Sequence, residues 1–310
     1  MIKLIHANDP EPDDGQAGRF PIYSETQGTN AFQSAAALPA GDINAMAAAE
    51  FDAAVDKLRA AGVSVLVFND TPEPAKPDAV FPNNWVSFQR DGSVILYPMQ
   101  AKSRRAERRP EIIEALGREF RIDDVVDLTG YEKSDRFLEG TGSIVFDHVG
   151  RIAYACTSVR TDQYLLSAVS ERLGYRPVIF HATDKTGQAI YHTNVMMCVA
   201  ERFAVVCLES ISNERERWMV MNFLTGGRRE IIDISLDQMY NFAGNMLALR
   251  SADGRNLLVL SQRAFESLKP DQVKAVENYC EMLPIEISTI ETVGGGSARC
   301  MMAEIFLSKK

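Results

Sequence analysis

The chain has 310 residues, 46% of them apolar, and a formal net charge of -9 at pH 7. The acidic balance argues against electrostatic binding to nucleic acid or to an anionic membrane, and the apolar content is typical of a soluble globular protein. The first residues, MIKLIHANDP, contain no long apolar stretch, and no later window approaches the length of a membrane span. We therefore expect neither a secretory signal nor a membrane helix.

The cysteines form no CxxC pair and have no close spacing to a histidine. Their number is odd, which argues against a disulfide framework, and their spacing argues against a zinc site. This usage fits a reducing compartment, so we expect a cytoplasmic protein. The five positions are Cys156, Cys198, Cys207, Cys280 and Cys300.

Helices alternate with pairs of short apolar runs along the chain. A helix is predicted over residues 45–61, because Phe51, Val55 and Leu58 recur at helical spacing and Gly62 follows as a stop. A strand is predicted over 63–68, and further helices over 109–120, 161–173, 214–224 and 270–282. Hairpins with glycine-containing or short turns are predicted between these helices. They pair 85–88 with 94–97, 143–146 with 152–156, 195–199 with 203–208, and 246–249 with 257–260, and a last strand is predicted over 301–307.

The hairpin, helix and strand form a unit, ββαβ, that recurs with a nearly constant period. The residues that enter the first strand of successive units lie 55, 53, 53 and 55 residues apart, and they are Asn84, Glu139, His192, Asn245 and Cys300. About five such units suggest a closed ring, in which each unit packs against its neighbours. Equivalent strand ends then converge on the ring axis, which predicts that Asn84, Glu139, His192 and Cys300 lie together. We take residues 1–310 as a single domain.

A glycine run, GGGSARC, leads directly into Cys300. Glycines 294–296 let the backbone approach a ligand closely and offer N–H groups to a developing anion, which favours a nucleophilic cysteine over a buried core thiol. A histidine partner would provide a thiolate and a proton shuttle near neutral pH. His192 is the favoured partner and His181 the competitor. Glu139 either orients the histidine, binds a cationic or N–H-rich substrate group, or caps a turn.

Four segments together resemble the motifs of the pentein superfamily of guanidino-group-modifying proteins: GGGSARCM, FLEGTGS, YHTN and SVRTD. That superfamily includes arginine deiminases, dimethylarginine dimethylaminohydrolases and amidinotransferases, and the likeness spans about Phe81 to the end of the chain. The resemblance implies a five-bladed α/β-propeller of ββαβ units, in agreement with the period. It also implies that Cys300 is the nucleophile, His192 the general acid and base, and Glu139 a ligand of the substrate's N–H groups.

Two arginines match the same resemblance. It implies that Arg160, in SVRTD, binds the α-carboxylate of the substrate, and Arg104, in KSRRAERR, falls near a second such position. The planar fork of arginine suits this task because it binds a carboxylate through two N–H groups. A solvated helix start is the alternative for Arg104.

Two asparagines depart from the pattern of arginine deiminases, which carry acidic residues in place of Asn84 and Asn194. Those acids face a guanidinium, which is positive and offers only N–H donors. A ureido group is neutral and has an oxygen acceptor beside its N–H donors, and an asparagine side chain supplies both a donor and an acceptor. Turn-forming asparagines before strands are the alternative. The closest resemblance is to citrulline-utilisation hydrolases, in FPNNW, YHTNVMM and the last motif, so we expect both asparagines to contact substrate.

The leading hypothesis is a cysteine-dependent hydrolase of the ureido group of citrulline. It would give ornithine, ammonia and carbon dioxide through a covalent thiol intermediate, and this reaction is expected to need no cofactor and no metal. Its expected partner is a small amino acid, with a possible homo-oligomer as its assembly. A deiminase, dimethylargininase-type hydrolase or amidinotransferase acting on a guanidino group is the second hypothesis. The third is a non-catalytic propeller that only binds a ligand. The segment TQGTNAFQ, residues 26–33, is expected to fold over the site, with Asn30 as a candidate contact.

Overall fold

The computed structural model describes residues 2–6, 24–28, 30–33, 40–71 and 73–310. Its strands are β1 Ile2–His6, β2 Val65–Asn69, β3 Val86–Phe88, β4 Ser93–Leu96, β5 Asp124–Asp127, β6 Val145–Asp147, β7 Ile152–Cys156, β8 Arg176–Phe180, β9 Met197–Val199, β10 Phe203–Val206, β11 Glu230–Asp233, β12 Leu247–Arg250, β13 Asn256–Ser261, β14 Glu281–Ile285 and β15 Ala303–Glu304. Its helices are α1 Ser24–Gln27, α2 Ala40–Ala60, α3 Pro110–Glu119, α4 Gly140–Ser143, α5 Gln163–Leu173, α6 Thr193–Met196, α7 Glu214–Gly226, α8 Leu236–Tyr240, α9 Gln262–Ser267, α10 Pro270–Glu277 and α11 Ser288–Gly294.

Within the described ranges, the strands form five small sheets of three strands each. In every sheet the central strand is antiparallel to one neighbour and parallel to the other. Four sheets follow chain order, and a helix connects the parallel pair in each; α3 connects β4 to β5, and α5 connects β7 to β8. This is the ββαβ unit that the period predicts, and the mixed α/β arrangement is consistent with a propeller.

The fifth sheet joins the two ends of the described chain. Its order is β15-β1-β2, with β15 antiparallel to β1, so that Ile2 lies opposite Glu304. Strand β1 is parallel to β2, and α2 connects them. The fifth unit therefore repeats the pattern of the other four, although its strands come from opposite ends of the sequence.

Helix α2 shows how the pattern of apolar residues determines packing. Phe51, Val55 and Leu58 are each at most 3% exposed, whereas Asp52 and Asp56 on the other face are exposed. Burial of each large apolar side chain contributes roughly 1.5–3 kcal/mol, so this face holds the helix against its sheet. The helix predicted over 45–61 is confirmed and begins five residues earlier. No helix in the described part of the chain combines the length and apolar character needed to cross a membrane.

Two predicted elements end or begin at the wrong place. The helix predicted over 270–282 ends at Glu277, because Glu281 and Met282 instead pair with β13 as the start of β14. The strand predicted over 301–307 is reduced to β15, Ala303–Glu304, because the backbone N–H groups of Cys300 and Met301 bond to the Ser297 carbonyl in a turn. In both places hydrogen bonding to distant or neighbouring backbone overrides the local apolar pattern.

The first strands of two hairpins start later than predicted. Short helical turns occupy Gly140–Ser143 and Thr193–Met196, so β6 begins at Val145 and β9 at Met197. Each turn directly follows a predicted site residue, Glu139 or His192, which takes the N-cap position. The turns therefore place the side chains of Glu139 and His192 just before β6 and β9.

Candidate active site

The predicted site residues lie around one small cleft. Asn84, Arg104, Arg160, His192 and Cys300 line it together with glycines 294–296, and its empty volume is about 300 Å³. Glu139 contacts His192, and Asn194 contacts Cys300, so the structure brings all seven predicted residues together.

Glu139 holds His192 through a short hydrogen bond. Glu139 Oε2 lies 2.7 Å from His192 Nε2 and 3.5 Å from an Arg160 Nη atom, while its Oε1 accepts the backbone N–H of Gln100 at 2.9 Å. Burial alone would raise the pKa of Glu139, but the charge of Arg160 and the hydrogen bond from His192 outweigh it and hold that pKa well below its usual value. Glu139 is therefore a carboxylate, and it can only accept hydrogen bonds.

This pairing decides which nitrogen of His192 is free to exchange protons. Because Glu139 only accepts, His192 Nε2 carries the proton of their bond, and Nδ1 remains as the basic atom. Burial lowers the pKa of His192 to about 4, against the opposing effect of Glu139, so the ring is neutral at pH 7. The ring packs over the backbone of Gly142, where an added Cβ would lie 2.8 Å from Nδ1. Nδ1 of His192 thus lies against Gly142 and is not engaged by Glu139.

The sulfur of Cys300 is buried among amide groups. It is 3.4 Å from Asn194 Nδ2 and 3.3 Å from Asn245 Nδ2, and the residue is 3% exposed. The Cys300 backbone N–H bonds to the Ser297 carbonyl at 2.9 Å, which fixes the turn that presents the side chain.

The glycine loop before Cys300 is anchored from two sides. Gly295 has a φ of +65°, a conformation that favours glycine, and it caps α11. Its carbonyl accepts hydrogen bonds from Tyr191 Oη at 2.8 Å and from Asn30 Nδ2 at 3.1 Å. Asn30 also lines the cleft and is 6% exposed. The described part of segment 26–33 therefore lies against the site; most of the wider segment 8–39 lies outside the described residues.

Arg104 is committed mainly to protein acceptors. Its Nε and Nη2 atoms donate to both carboxylate oxygens of Glu107 at 2.8 and 2.9 Å, and its Nη1 donates to Asn84 Oδ1 at 2.9 Å. The residue is 3% exposed, so the alternative of a solvated helix start is wrong. Arg104 orients Asn84, because a guanidinium only donates and so must face the amide oxygen rather than the amide nitrogen.

Arg160 is also buried at the cleft, with 2% exposure. Its guanidinium carbon lies 5.0 Å from the centre of the Tyr191 ring, within the range of a cation–π contact. Together with its approach to Glu139, this contact holds the guanidinium beside Glu139 and His192.

Two buried amide atoms at the site lack a hydrogen-bond partner within the described residues. They are Asn84 Nδ2, a donor, and Asn194 Oδ1, an acceptor. Leaving such a group unpaired in a protein interior costs about 1–3 kcal/mol. This unpaired donor and acceptor are suited to a ligand that offers one acceptor and one N–H donor.

Sequence reasoning missed several residues of the site, among them Asn245 and Asp78. Asn245 contacts Cys300, and the period itself pointed to it, since it is the fourth of the five recurring positions. Asp78 lines the cleft and lies 3.7 Å from Arg104 Nε, with a pKa raised by burial and lowered in part by Arg104. No spacing signal marked Asp78, which precedes the first repeated position. His181, the competing histidine, is exposed and pairs with Glu216 at 3.0 Å, away from the cleft.

Comparison with known proteins agrees with this geometry. A family model described as N,N-dimethylarginine dimethylhydrolase, eukaryotic, matches residues 16–307. The chain belongs to this family. The N,N-dimethylarginine dimethylhydrolase family lies in the pentein superfamily, so the resemblance seen in the sequence is confirmed. No curated protein matches the chain.

Several solved structures share the fold at low sequence identity. The N-terminal domain of ArgZ, a cyanobacterial arginine dihydrolase, was solved as a Cys→Ser variant with substrate; it is 15% identical, with a TM-score of 0.72, over 99% of both chains. Unliganded AgrE is 16% identical, with a TM-score of 0.72, over 97% of this chain and 38% of its own. DDAH from Pseudomonas aeruginosa, solved as a Cys→Ser variant in complex with citrulline, is 16% identical, with a TM-score of 0.65, over 97% of both chains.

The family membership establishes the class of chemistry. The protein is a hydrolase that acts on non-peptide C–N bonds, which makes the non-catalytic hypothesis wrong. Within the described ranges, no group of three or more His, Cys, Asp or Glu side chains is arranged to hold a metal ion.

Proposed function

We propose that the protein hydrolyses the ureido group of free citrulline, giving ornithine, ammonia and carbon dioxide. The observation that carries this proposal is the unpaired amide donor of Asn84. Its orientation follows from Arg104, which occupies the amide oxygen and so leaves the N–H₂ group for the substrate.

The donor favours a ureido group over a guanidinium. A guanidinium presents only N–H donors, which would face the N–H₂ of Asn84 with no acceptor between them. The ureido oxygen accepts from Asn84 Nδ2, and a ureido N–H donates to Asn194 Oδ1, so both unpaired atoms gain partners. Glu139 is already balanced by Arg160 and bonded to His192, so it matches a guanidinium charge less well than an unpaired carboxylate would.

The reaction proceeds through a covalent intermediate. His192 Nδ1 takes the proton of the Cys300 thiol, and the thiolate attacks the ureido carbon. Negative charge develops on the ureido oxygen, where Asn84 Nδ2 donates to it. As the intermediate collapses, one C–N bond breaks and the leaving nitrogen, of ammonia or of ornithine, takes the proton from His192.

Water completes the reaction. His192 removes a proton from one water molecule, which attacks the thiol ester carbon, and the C–S bond breaks to regenerate Cys300. The resulting carbamic acid decomposes, so that one citrulline and one water yield one ornithine, one ammonia and one carbon dioxide. No redox change and no further reactant enter this balance.

Charged groups that line the same cleft suit an α-amino acid. Arg160 and Arg104 are cations for the α-carboxylate, and Asp78 is a buried carboxyl for the α-ammonium. We further propose that the five sheets are the blades of one closed ring and that residues 1–310 form one catalytic domain. The sheet shared by the two chain ends supports this proposal.

Substitution of the nucleophile tests the proposed function. Cys300→Ser is expected to lose nearly all release of ornithine from citrulline while still binding citrulline in calorimetry, because the hydroxyl is a far weaker nucleophile. Cys280→Ser, which changes a half-buried thiol away from the cleft, is the matched control and is expected to keep full turnover. Turnover of citrulline by Cys300→Ser at the rate of the control would refute the assignment.

A second candidate is hydrolysis of arginine, favoured by the match to the ArgZ domain over 99% of both chains. In that case the first hydrolysis replaces an amidino nitrogen with oxygen and releases ammonia, and the second proceeds from the ureido stage as above. Production of ornithine from arginine would support this candidate, and inertness toward arginine would exclude it.

A further inference from the structure

The side chain of Asn245 has one possible orientation. Its Oδ1 accepts the backbone N–H of Arg299 at 3.0 Å, and a backbone N–H can only donate. The amide nitrogen must therefore face the other way, where it donates to the carbonyl of Asn194 at 3.0 Å and lies 3.3 Å from Cys300 Sγ. The reaction described above leaves this donor without a role.

The backbone around Asn245 is fixed as firmly as its side chain. An added Cβ at the preceding Gly244 would lie 2.3 Å from the Val195 carbonyl oxygen, so the two segments pack in backbone contact. Asn245 is fully buried. The amide therefore cannot turn away from the sulfur without moving β12 or the turn before β9.

A second amide approaches the same sulfur. Asn194 Nδ2 lies 3.4 Å from Cys300 Sγ, so two N–H donors converge on the sulfur of a residue that is only 3% exposed. A thiol is a weak acceptor, whereas a thiolate accepts charge-assisted hydrogen bonds of about twice the strength. The reverse bond, from the thiol to Asn245 Oδ1, spans 3.7 Å and meets an oxygen that Arg299 already occupies.

We propose that Asn245 is a further catalytic residue, whose amide, together with that of Asn194, binds the sulfur of Cys300 as a thiolate and aims it at the substrate carbon. This inference rests on the proposed function, in which Cys300 is the nucleophile. It assigns Asn194 two roles: its amide nitrogen donates to the sulfur of Cys300, and its amide oxygen accepts from an N–H group of the substrate.

The pH dependence of Cys300 alkylation by iodoacetamide tests this role without substrate. Peptide mass spectrometry locates the alkylated cysteine, so Cys300 is read separately from the other four cysteines, whose pKa burial raises to about 11 or 12. Asn245→Ser is expected to raise the pH midpoint by about one unit, and Asn245→Asp by more, because it removes the donor and adds a like charge. The other titratable or charged groups lining the cleft are unchanged in both variants; they are Asp78, Arg104, Arg160, Tyr191 and His192.

Controls separate this role from a structural one. Asn245→Asp keeps the oxygen that accepts from Arg299, and Asn241→Ser removes a partly exposed amide on the same segment, bonded to Arg263, and is expected to leave the midpoint unchanged. If neither Asn245 variant folds, as judged by melting, Asn194→Ser removes the other donor and is expected to give the same upward shift. At pH 7 Asn245→Ser should lose about tenfold in kcat on citrulline and Asn245→Asp more, and both losses should be recovered at higher pH.

The outcomes distinguish this inference from the proposed function. An unchanged alkylation midpoint in folded Asn245 variants would overturn the thiolate role of Asn245 and leave the nucleophile assignment standing. Full turnover of citrulline after complete alkylation of Cys300 would overturn both.

Discussion

Asn84→Asp is the substitution that most directly probes how the site recognises its substrate. In the wild type, Arg104 Nη1 donates to Asn84 Oδ1 at 2.9 Å, and a carboxylate would keep that contact with one of its oxygens. Its other oxygen would replace Nδ2, which packs so closely over Gly142 that an added Cβ there would lie 2.3 Å away. The new oxygen therefore cannot turn aside, and it would face the ureido oxygen directly.

The size of the effect follows from the lost donor. Removal of one hydrogen-bond donor to a developing oxyanion typically costs about 2.7–4 kcal/mol, or 10²–10³ in kcat. Repulsion between the carboxylate and the ureido oxygen adds to this loss. The opposite change is expected for arginine, whose N–H groups would meet an acceptor at this position, so turnover of arginine should rise above that of the wild type.

Steady-state rates on citrulline and arginine, measured from the amino-acid products, provide the assay. Asn213→Asp is the matched control: Asn213 caps α7 with its side-chain oxygen, and aspartate caps a helix equally well. The control should keep wild-type rates on citrulline. If Asn84→Asp hydrolyses citrulline within about threefold of the control, the donor of Asn84 does not contact the ureido oxygen and the reasoning is wrong.

Two further predictions concern the histidine. Gly142→Ala would place a Cβ 2.8 Å from His192 Nδ1, so it should abolish turnover, whereas Gly226→Ala, which meets no atom within 4 Å, should leave turnover intact; equal activity would refute the packing argument. In the unfolded chain the histidine binds a proton below about pH 6.5, whereas folded His192 does so only near pH 4. The free energy of unfolding therefore decreases as the pH is lowered from about 6.5 to about 4. Between pH 7 and 5, urea unfolding should show the wild type losing about 2 kcal/mol more than His192→Asn; equal losses would contradict the lowered pKa.

The repeat could be predicted from the sequence because every unit shows the same succession of apolar patterns, first that of strands and then that of a helix. Paired apolar runs predict hairpins, and the helical pattern of α2 predicts its buried face through Phe51 and Leu58. The constant period then predicted that Glu139, His192 and Cys300 converge, as the structure finds. This prediction needed no local motif, since it followed from the topology alone.

Other features of the site depend on contacts between residues that are distant in sequence, and these could not be predicted from the sequence. The commitment of Arg104 to Glu107 and Asn84 needs the folded geometry, because the sequence shows only a basic run. The short turns Gly140–Ser143 and Thr193–Met196 are held partly by backbone hydrogen bonds that local propensity does not reveal. Asn245 differs from these features, because its place in the repeat was visible in the sequence although no role at the site was inferred for it.

The most direct measurement is incubation of the purified protein with citrulline and with arginine in parallel, with ammonia and the amino-acid product quantified. The account predicts ornithine and one equivalent of ammonia from citrulline, and no product from arginine, because Asn84 presents a donor where a guanidinium also presents donors. Accumulation of citrulline from arginine, with citrulline itself left unhydrolysed, would contradict the account.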